Sequence, residues 1–181
     1  MNIPNFISLA RLAAVPVAVW LIINGYFGWA FWLFVAAGVS DALDGLIAKN
    51  FNMETTAGKF LDPLADKALL VSVYIALGHG GLLPTWLVIL VVSRDVMILI
   101  GALLGLILME RYRLDPSLTS KANTTAQIVL AAVVLAKLGV DLKDYGAAEV
   151  LTYVVAATTL ASGIMYMIAW LEQTAEMDRP K

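Results

Sequence analysis

The sequence has 181 residues, of which 61% are hydrophobic and 14% are charged, and its mean hydropathy is +0.84. Soluble domains average about 45–50% apolar and about 25% charged residues, so this composition excludes an ordinary water-soluble domain and predicts a membrane protein. The 12 Lys and Arg residues nearly balance the 14 Asp and Glu residues, which excludes the basic surface of a nucleic-acid-binding protein. Because the sequence contains no cysteine, disulfides, thiolate metal sites and cysteine nucleophiles are excluded as well.

Glycine, proline and charged clusters divide the chain into six apolar segments of the length expected for transmembrane helices. The segments cover residues 6–23, 29–49, 59–77, 84–109, 120–138 and 148–171. We therefore predict an all-α, polytopic integral membrane protein with six transmembrane helices and a single domain over residues 1–181. Arg11 interrupts the first segment, which leaves open whether residues 2–10 lie along the membrane interface before the span begins.

The basic residues are distributed unevenly between the two ends of these segments. With both termini in the cytoplasm, only Lys137 and Lys143 fall outside, and nine residues fall on the inner side: Arg11, Lys49, Lys59, Lys67, Arg111, Arg113, Lys121, Arg179 and Lys181. Cytoplasmic loops of membrane proteins carry such an excess of Lys and Arg. The distribution therefore predicts that both termini lie on the cytoplasmic side. We expect the membrane to be the bacterial inner membrane.

Four aspartates flank the connection between the second and third segments, namely Asp41, Asp44, Asp62 and Asp66. Their spacings of three and four residues place each pair on one face of its helix, and two antiparallel helices would let the pairs face each other. A carboxylate deep in a membrane helix costs ~2.5–3.5 kcal/mol and requires a compensating partner. Because the ligands are all oxygen, two Mg²⁺ or Mn²⁺ ions are favoured. Asp62 taken alone would also suit an N-cap before Pro63.

These aspartates belong to the pattern Asp41-x2-Asp44-Gly45-x2-Ala48-Lys49-x8-Gly58-x3-Asp62-x3-Asp66. The pattern resembles the signature of the CDP-alcohol phosphatidyltransferases and departs from it only at Lys49, where the family usually has arginine. Lysine keeps the positive charge but lacks the planar fork for bidentate contacts.

The resemblance implies a six-helix membrane enzyme, usually dimeric, that displaces CMP from a CDP-linked lipid with an alcohol at a cytoplasmic active site. By the same resemblance, all four aspartates approach the metal ions, and Asp66 is also the general base. The CDP-lipid site would be lined by Gly45, Ala48, Lys49 and Gly58.

Residues 2–5 with Arg11, residues 93–97 and residues 120–124 further resemble the CMP-forming cardiolipin synthases within this family. The phosphatidylglycerophosphate synthases, which are the alternative, usually carry a second arginine in the fourth span and Gly-Lys-x-Lys-Thr before the fifth. Here the corresponding positions are the uncharged residues 100–104 and Asn123. A glycerol 3-phosphate dianion requires several cations, so this pattern favours phosphatidylglycerol as acceptor beside CDP-diacylglycerol as donor. The implied acceptor site contains Arg94, Lys121, Asn123 and Arg11.

Some of these residues also have structural interpretations. Arg94 would contact the acceptor phosphate or pair with a carboxylate of a neighbouring helix, and we do not expect it to pair with the adjacent Asp95, which points in another direction. Asn123 shares a helix face with Gln127, which also fits interhelical hydrogen bonding. Gly101 and Gly105 form a G-x-x-x-G motif for packing within the bundle or between two copies.

A divalent-cation transporter is the alternative from another functional class, because carboxylates also bind transported metal ions. Transporter sites typically lie in repeated, broken helices. No internal repeat is visible in this sequence.

Overall fold

The computed structural model describes the backbone of residues 3–51, 58–108 and 118–177 and the side chains of residues 9–40, 65–101, 105 and 118–172. Within these ranges the chain forms six helices and no strand: α1 (Ile3–Ile23), α2 (Phe27–Phe51), α3 (Gly58–His79), α4 (Thr85–Leu108), α5 (Leu118–Gly139) and α6 (Ala147–Met177). The predicted all-α class is therefore confirmed for the described part of the chain.

The helices coincide with the six predicted segments to within a few residues at most ends. The largest differences are at the end of α6, which extends beyond residue 171 to Met177, and at the start of α1, which begins at Ile3 instead of residue 6. Helix α6 continues to Met177 because the residues after 171 include the strong helix formers Gln, Ala and Glu. Helix α3 continues to His79, slightly beyond the predicted end at residue 77.

Two helices end in the same glycine-dependent turn. Gly25 after α1 and Gly81 after α3 adopt positive φ values of 77° and 70°. At Gly81, the next residue donates its backbone N–H to the Leu77 carbonyl at 2.9 Å, and Gly81 itself donates to the Gly78 carbonyl at 3.1 Å. This is the Schellman pattern, which requires a left-handed residue and therefore favours glycine at the helix end.

Two helices in the described ranges are long and apolar enough to cross a membrane, α5 and the Ala147–Glu172 part of α6. The apolar stretches Leu9–Ile23 and Phe27–Ser40 are shorter. Helix α1 is continuous through Arg11, so an interfacial segment before this residue would belong to the same helix as the apolar part. Six spans, the interfacial segment and the cytoplasmic orientation stay predictions.

The chain divides into two compact units, one of residues 1–85 and 131–148 and the other of residues 86–130 and 149–181. A single domain over the whole chain stays a prediction. In the first unit α1 packs on α2 and α3. Its core is mainly apolar and includes Ala18, Ile22, Phe34, Leu69, Val73, Tyr74, Leu77 and Leu135.

The beginning of α2 touches the end of α5 within the first unit, at two glycines. A Cβ added to Gly139 would lie 2.5 Å from the backbone nitrogen and 2.6 Å from the Cα of Gly28. No side chain fits at position 139, whereas a Cβ on Gly28 would make a tight contact of 3.0 Å with the Gly139 carbonyl oxygen, so the close approach of the two backbones depends mainly on Gly139.

The connection from α5 to α6, also in the first unit, contains an ion pair. Lys137 Nζ donates to Asp144 Oδ2 at 3.1 Å, and the Gly146 backbone N–H is 3.5 Å from Asp144 Oδ1. The hydrogen bond from Lys137 lowers the pKa of Asp144 below its ordinary value. Partial desolvation acts in the opposite direction and raises this pKa, whereas the backbone N–H of Gly146 lowers it further.

The second unit buries more polar side chains than the first unit does. Of the seven described polar or charged residues that are buried, six belong to this unit: Arg94, Asn123, Gln127, Thr152, Thr159 and Ser162. Buried polar groups must find hydrogen-bond partners, so the packing of α4, α5 and α6 in this unit depends on polar contacts as well as on apolar ones.

Candidate functional site

The four aspartates lie on two successive helices, as predicted. Asp41 and Asp44 are in α2, and Asp62 and Asp66 are in α3. Both helices are continuous at these positions, so each pair occupies one helix face. The side chains of Asp41, Asp44, Gly45, Ala48, Lys49, Gly58 and Asp62 lie outside the described residues. Among the side chains that are described, no three acidic or histidine groups come together to hold a metal ion. The metal and CDP-lipid sites stay predictions.

Asp66 is held by an ion pair that the sequence did not predict. Arg11 of α1 donates through Nη1 to Oδ1 of Asp66 on α3. The Arg11 side chain is only 3% exposed, whereas that of Asp66 is 41% exposed. The guanidinium is therefore buried between helices of the first unit, while the carboxylate remains accessible to a ligand. Since 55 residues separate the pair, no local pattern could reveal it.

Arg94 forms the centre of a second group of polar side chains, in the second unit. Its Nη1 donates to Asp95 Oδ1 at 2.7 Å. Its Nη2 donates to Ser120 Oγ at 2.8 Å and to Ser162 Oγ, so that one guanidinium joins α4, α5 and α6. The side chains of Arg94 and Asp95 are 4% and 7% exposed, so this ion pair is buried.

The expectation that Arg94 and Asp95 would not pair is wrong. Adjacent residues on a helix do direct their Cβ atoms apart, but the long arginine stem allows its guanidinium to return to the neighbouring carboxylate. The alternatives for Arg94 included a carboxylate from a neighbouring helix. In the structure, the contacts from α5 and α6 are hydroxyl groups instead.

Asn123 lies one turn along α5 from Ser120 and is completely buried. Its Oδ1 accepts hydrogen bonds from the hydroxyls of Thr158 and Thr159, both at 2.9 Å. Its Nδ2 has no hydrogen-bond acceptor among the described residues. Gln127 is also fully buried, which confirms that it shares the inward face of α5 with Asn123.

We name these groups together the α4–α6 polar cluster: Arg94, Asp95, Ser120, Asn123, Thr158, Thr159 and Ser162. The structure thus brings Arg94 and Asn123, two of the predicted acceptor residues, onto neighbouring turns of one buried polar surface. It places Lys121 on the exposed side of α5 and Arg11 against Asp66 in the other unit. Sequence reasoning missed Thr158, Thr159 and Ser162. Their spacing in the sequence could have indicated this role, because small hydroxyl residues within an apolar helix commonly form hydrogen bonds to neighbouring membrane helices.

Gly101, the first glycine of the G-x-x-x-G motif in α4, packs against α6 of the same chain. A Cβ on Gly101 would overlap the hydroxyl of Tyr166 on α6, and Gly105 is buried. The Tyr166 hydroxyl donates to the backbone carbonyl of Ile98 at 3.2 Å. This packing within the chain accounts for Gly101 without a second copy.

These features define an all-helical protein with apolar helix surfaces, two pairs of aspartates on successive helices and a guanidinium buried among hydroxyl and amide groups. The family model of the CDP-alcohol phosphatidyltransferases matches residues 1–171, and the chain belongs to this family.

Relatives with two different reaction names are similar to the chain over most of its length. The chloroplastic CDP-diacylglycerol–glycerol-3-phosphate 3-phosphatidyltransferase 1 of Oryza sativa is 34% identical over 94% of this chain and 57% of its own length. The CMP-forming cardiolipin synthases of Rattus norvegicus and Homo sapiens are each 35% identical over 91% of this chain and 60% of their own length. The chain therefore spans about three fifths of the length of these relatives.

Proposed function

We propose that the protein transfers the phosphatidyl group of CDP-diacylglycerol to phosphatidylglycerol, with cardiolipin and CMP as products. Membership in the CDP-alcohol phosphatidyltransferase family supports this reaction class over a divalent-cation transporter. The relatives include both cardiolipin synthases and a glycerol-3-phosphate phosphatidyltransferase, at nearly equal identity. The choice between the two acceptors therefore depends on the site itself.

The charge of the α4–α6 polar cluster is the observation that favours phosphatidylglycerol. Among its described side chains the cluster has one cation, Arg94, and the Asp95 carboxylate lies 2.7 Å from it. The exposed Lys121 at the edge adds a second cation, so two cations against one carboxylate leave the acceptor site with a single excess positive charge. Such a site fits a singly charged phosphodiester better than the dianionic phosphate of glycerol 3-phosphate, which requires several cations. Phosphatidylglycerol has a singly charged phosphodiester and two hydroxyls, which suit neutral partners such as the Asn123 amide. Glycerol 3-phosphate remains the alternative acceptor.

The aspartates suit hard divalent cations. The Asp66 carboxylate is accessible, and the continuous α3 helix places Asp62 on the same face one turn earlier. We propose that Asp41, Asp44, Asp62 and Asp66 hold two Mg²⁺ or Mn²⁺ ions, a preference that follows from oxygen ligands alone. Bound ions of this kind neutralise the charge of a pyrophosphate and of the departing phosphate group.

The residues of the chain then have separate roles. The acceptor hydroxyl oxygen forms a bond to the phosphorus of the phosphatidyl group, and the bond from this phosphorus to the bridging pyrophosphate oxygen breaks. CMP leaves with the electron pair, and the acceptor proton passes to the Asp66 carboxylate, which Arg11 holds on α3. Gly45, Ala48, Lys49 and Gly58 line the CDP group. Arg94 and Asn123, with Lys121 at the exposed edge, bind the acceptor.

We further propose that the protein acts as a homodimer in the bacterial inner membrane, with its active site and both termini on the cytoplasmic side. The excess of basic residues on one side of the segments supports this orientation. Residues that face lipid also explain the many large exposed side chains that are apolar, such as Trp29, Ile89 and Ile164.

Release of CMP from CDP-diacylglycerol by the purified protein tests the proposed function. With Mg²⁺ or Mn²⁺ present we expect release with phosphatidylglycerol and little with glycerol 3-phosphate, and no release after removal of the metal with a chelator. Asp66→Asn should abolish release, whereas Asp141→Asn in the exposed α5–α6 connection should leave it unchanged. Release with glycerol 3-phosphate alone would contradict the assigned acceptor, and full activity of Asp66→Asn would contradict the assigned proton acceptor.

A further inference from the structure

Arg11 is the one charged residue in the sequence of α1, and it lies on the inward face of this helix. The buried side chains of α1 that the structure describes are Arg11, Ala18 and Ile22, whose spacings of seven and four residues place them on one face. Leu9 and Leu12, on either side of the arginine, are 50% and 39% exposed. An arginine in an apolar helix commonly extends its charge toward water. Here the guanidinium is instead turned toward the neighbouring helices.

The guanidinium of Arg11 approaches Asp66 from the interior of the first unit. Its Nη1 donates to Oδ1 of the carboxylate. The arginine side chain is 3% exposed and the aspartate side chain is 41% exposed, so the accessible part of Asp66 is turned away from the guanidinium. A lipid phosphate that came from the accessible side would meet the negative charge of Asp66 before it reached the cation. Arg11 is therefore poorly placed to bind a phosphate itself.

The direction of the Asp66 carboxylate matters for the proposed reaction. A proton acceptor must come within about 2.6–3.2 Å of the atom that gives up the proton. A displacement of about 1 Å in such a group can lower the rate about 100-fold. A half-exposed aspartate has several staggered rotamers, and a contact must select the productive one. The ion pair with the buried guanidinium provides such a contact.

We propose that Arg11 is a positioning residue, which fixes the Asp66 carboxylate in the direction needed to take the proton of the acceptor hydroxyl. The inference rests on the proposed function. It replaces the predicted role of Arg11 as a ligand of the acceptor. Because Arg11 acts through Asp66 and touches neither lipid, it contributes to the rate of the chemical step and not to lipid binding.

The kinetics of Arg11→Met test this assignment. Methionine keeps an unbranched stem and removes the charge, while the accessible Asp66 stays in contact with water. CMP release is measured while the surface fraction of CDP-diacylglycerol or of phosphatidylglycerol is varied. We expect kcat to decrease about 10- to 100-fold and the KM for each lipid to change less than about twofold. Arg11→Lys should keep more of the kcat, because its ammonium can still contact Asp66 but lacks the planar fork. The lysine variant carries the same test should Arg11→Met not fold.

Ile22→Ala is the matched control, because Ile22 is 4% exposed on the same face of α1 and lies about three turns from Arg11. It should lower Tm and leave the kcat of the folded protein within about twofold. An equal loss of kcat in Ile22→Ala and Arg11→Met would reduce Arg11 to a structural role and overturn the proposal. An increased KM for phosphatidylglycerol at unchanged kcat would assign Arg11 to the acceptor and also overturn it, as would equal losses of kcat in the lysine and methionine variants.

Thermal unfolding with a chelator present examines the ion pair without metal or substrate. The Tm decreases of Arg11→Met and Asp66→Asn should together exceed that of the double variant by at least about 2 °C, because each single variant already breaks the pair. Additive decreases would overturn the proposal. Failure of the proposed function is recognised separately in the unmodified protein, by CMP release with glycerol 3-phosphate alone. The Arg11 variants are then measured with that acceptor.

Discussion

Replacing Arg94 with methionine would remove the one cation of the α4–α6 polar cluster and keep an unbranched apolar stem in its place. The guanidinium and the Asp95 carboxylate are 2.7 Å apart, and their side chains are 4% and 7% exposed. The variant would therefore leave the buried Asp95 without its guanidinium, and the hydroxyls of Ser120 and Ser162 without a charged donor.

The size of the effect follows from this burial. Removing one partner of a buried ion pair destabilises a protein by about 3–5 kcal/mol, because an uncompensated charge stays behind. With about 2–4 °C of Tm per kcal/mol for a domain of 150–250 residues, we expect a decrease in Tm of roughly 6–20 °C. The double variant Arg94→Met with Asp95→Asn should recover much of this loss, because it also removes the carboxylate charge that Arg94 compensated.

Thermal unfolding of the unmodified protein, both single variants and the double variant in the same detergent measures the coupling between the two side chains. Lys121→Met is the matched control, since it removes an exposed cation from the neighbouring helix and should change stability by no more than about 0.5 kcal/mol. A coupling energy below about 1 kcal/mol, or a double variant as unstable as Arg94→Met alone, would refute the reasoning.

Two further predictions concern the first unit. Because the folded state lowers the pKa of Asp144, the stabilisation from its pair with Lys137 is complete above the unfolded pKa of about 3.9 and is lost as pH falls through the lower folded pKa. The difference in Tm between the unmodified protein and Asp144→Asn should therefore shrink on acidification below about pH 4, whereas Asp141→Asn serves as the control. A Tm difference that grows on acidification would contradict the lowered pKa of Asp144 in the folded state. Gly139→Ala should destabilise the protein by about 1–3 kcal/mol, because its Cβ would meet the backbone of Gly28. Gly38→Ala, with open space around its Cβ position, should be neutral or stabilising in the same unfolding assay, and equal effects of the two substitutions would argue against the α2–α5 contact.

Much of the secondary structure could be predicted from the sequence because its apolar runs are long and clearly interrupted. Gly25 and Gly81 mark helix ends for a local reason, since each takes the left-handed conformation that closes a Schellman turn. The spacing of Asp41 with Asp44, and of Asp62 with Asp66, likewise required only the period of a helix. The same fixed spacing supported the family resemblance, and the family is confirmed.

The contacts between helices could not be predicted in the same way. In a soluble protein, the apolar stripe of an amphipathic helix shows which face is turned inward. A helix that is apolar on all sides has no such stripe, so its sequence does not indicate the inward face. Gly101 illustrates the difficulty, because its motif fits packing against another copy as well as packing against Tyr166 of the same chain. Only the tertiary structure decides which of these faces meets which neighbour.

The sequence by itself thus determined the helical class, the positions of the helices, the register of the four aspartates and the family. The tertiary structure decided that Arg11 holds Asp66 and that Arg94 joins three helices while paired with Asp95. The physical reason is the range of the interactions. Helix formation and helix ends depend on residues within one or two turns, whereas a buried charge is stabilised by whatever distant group the packing brings within hydrogen-bond distance.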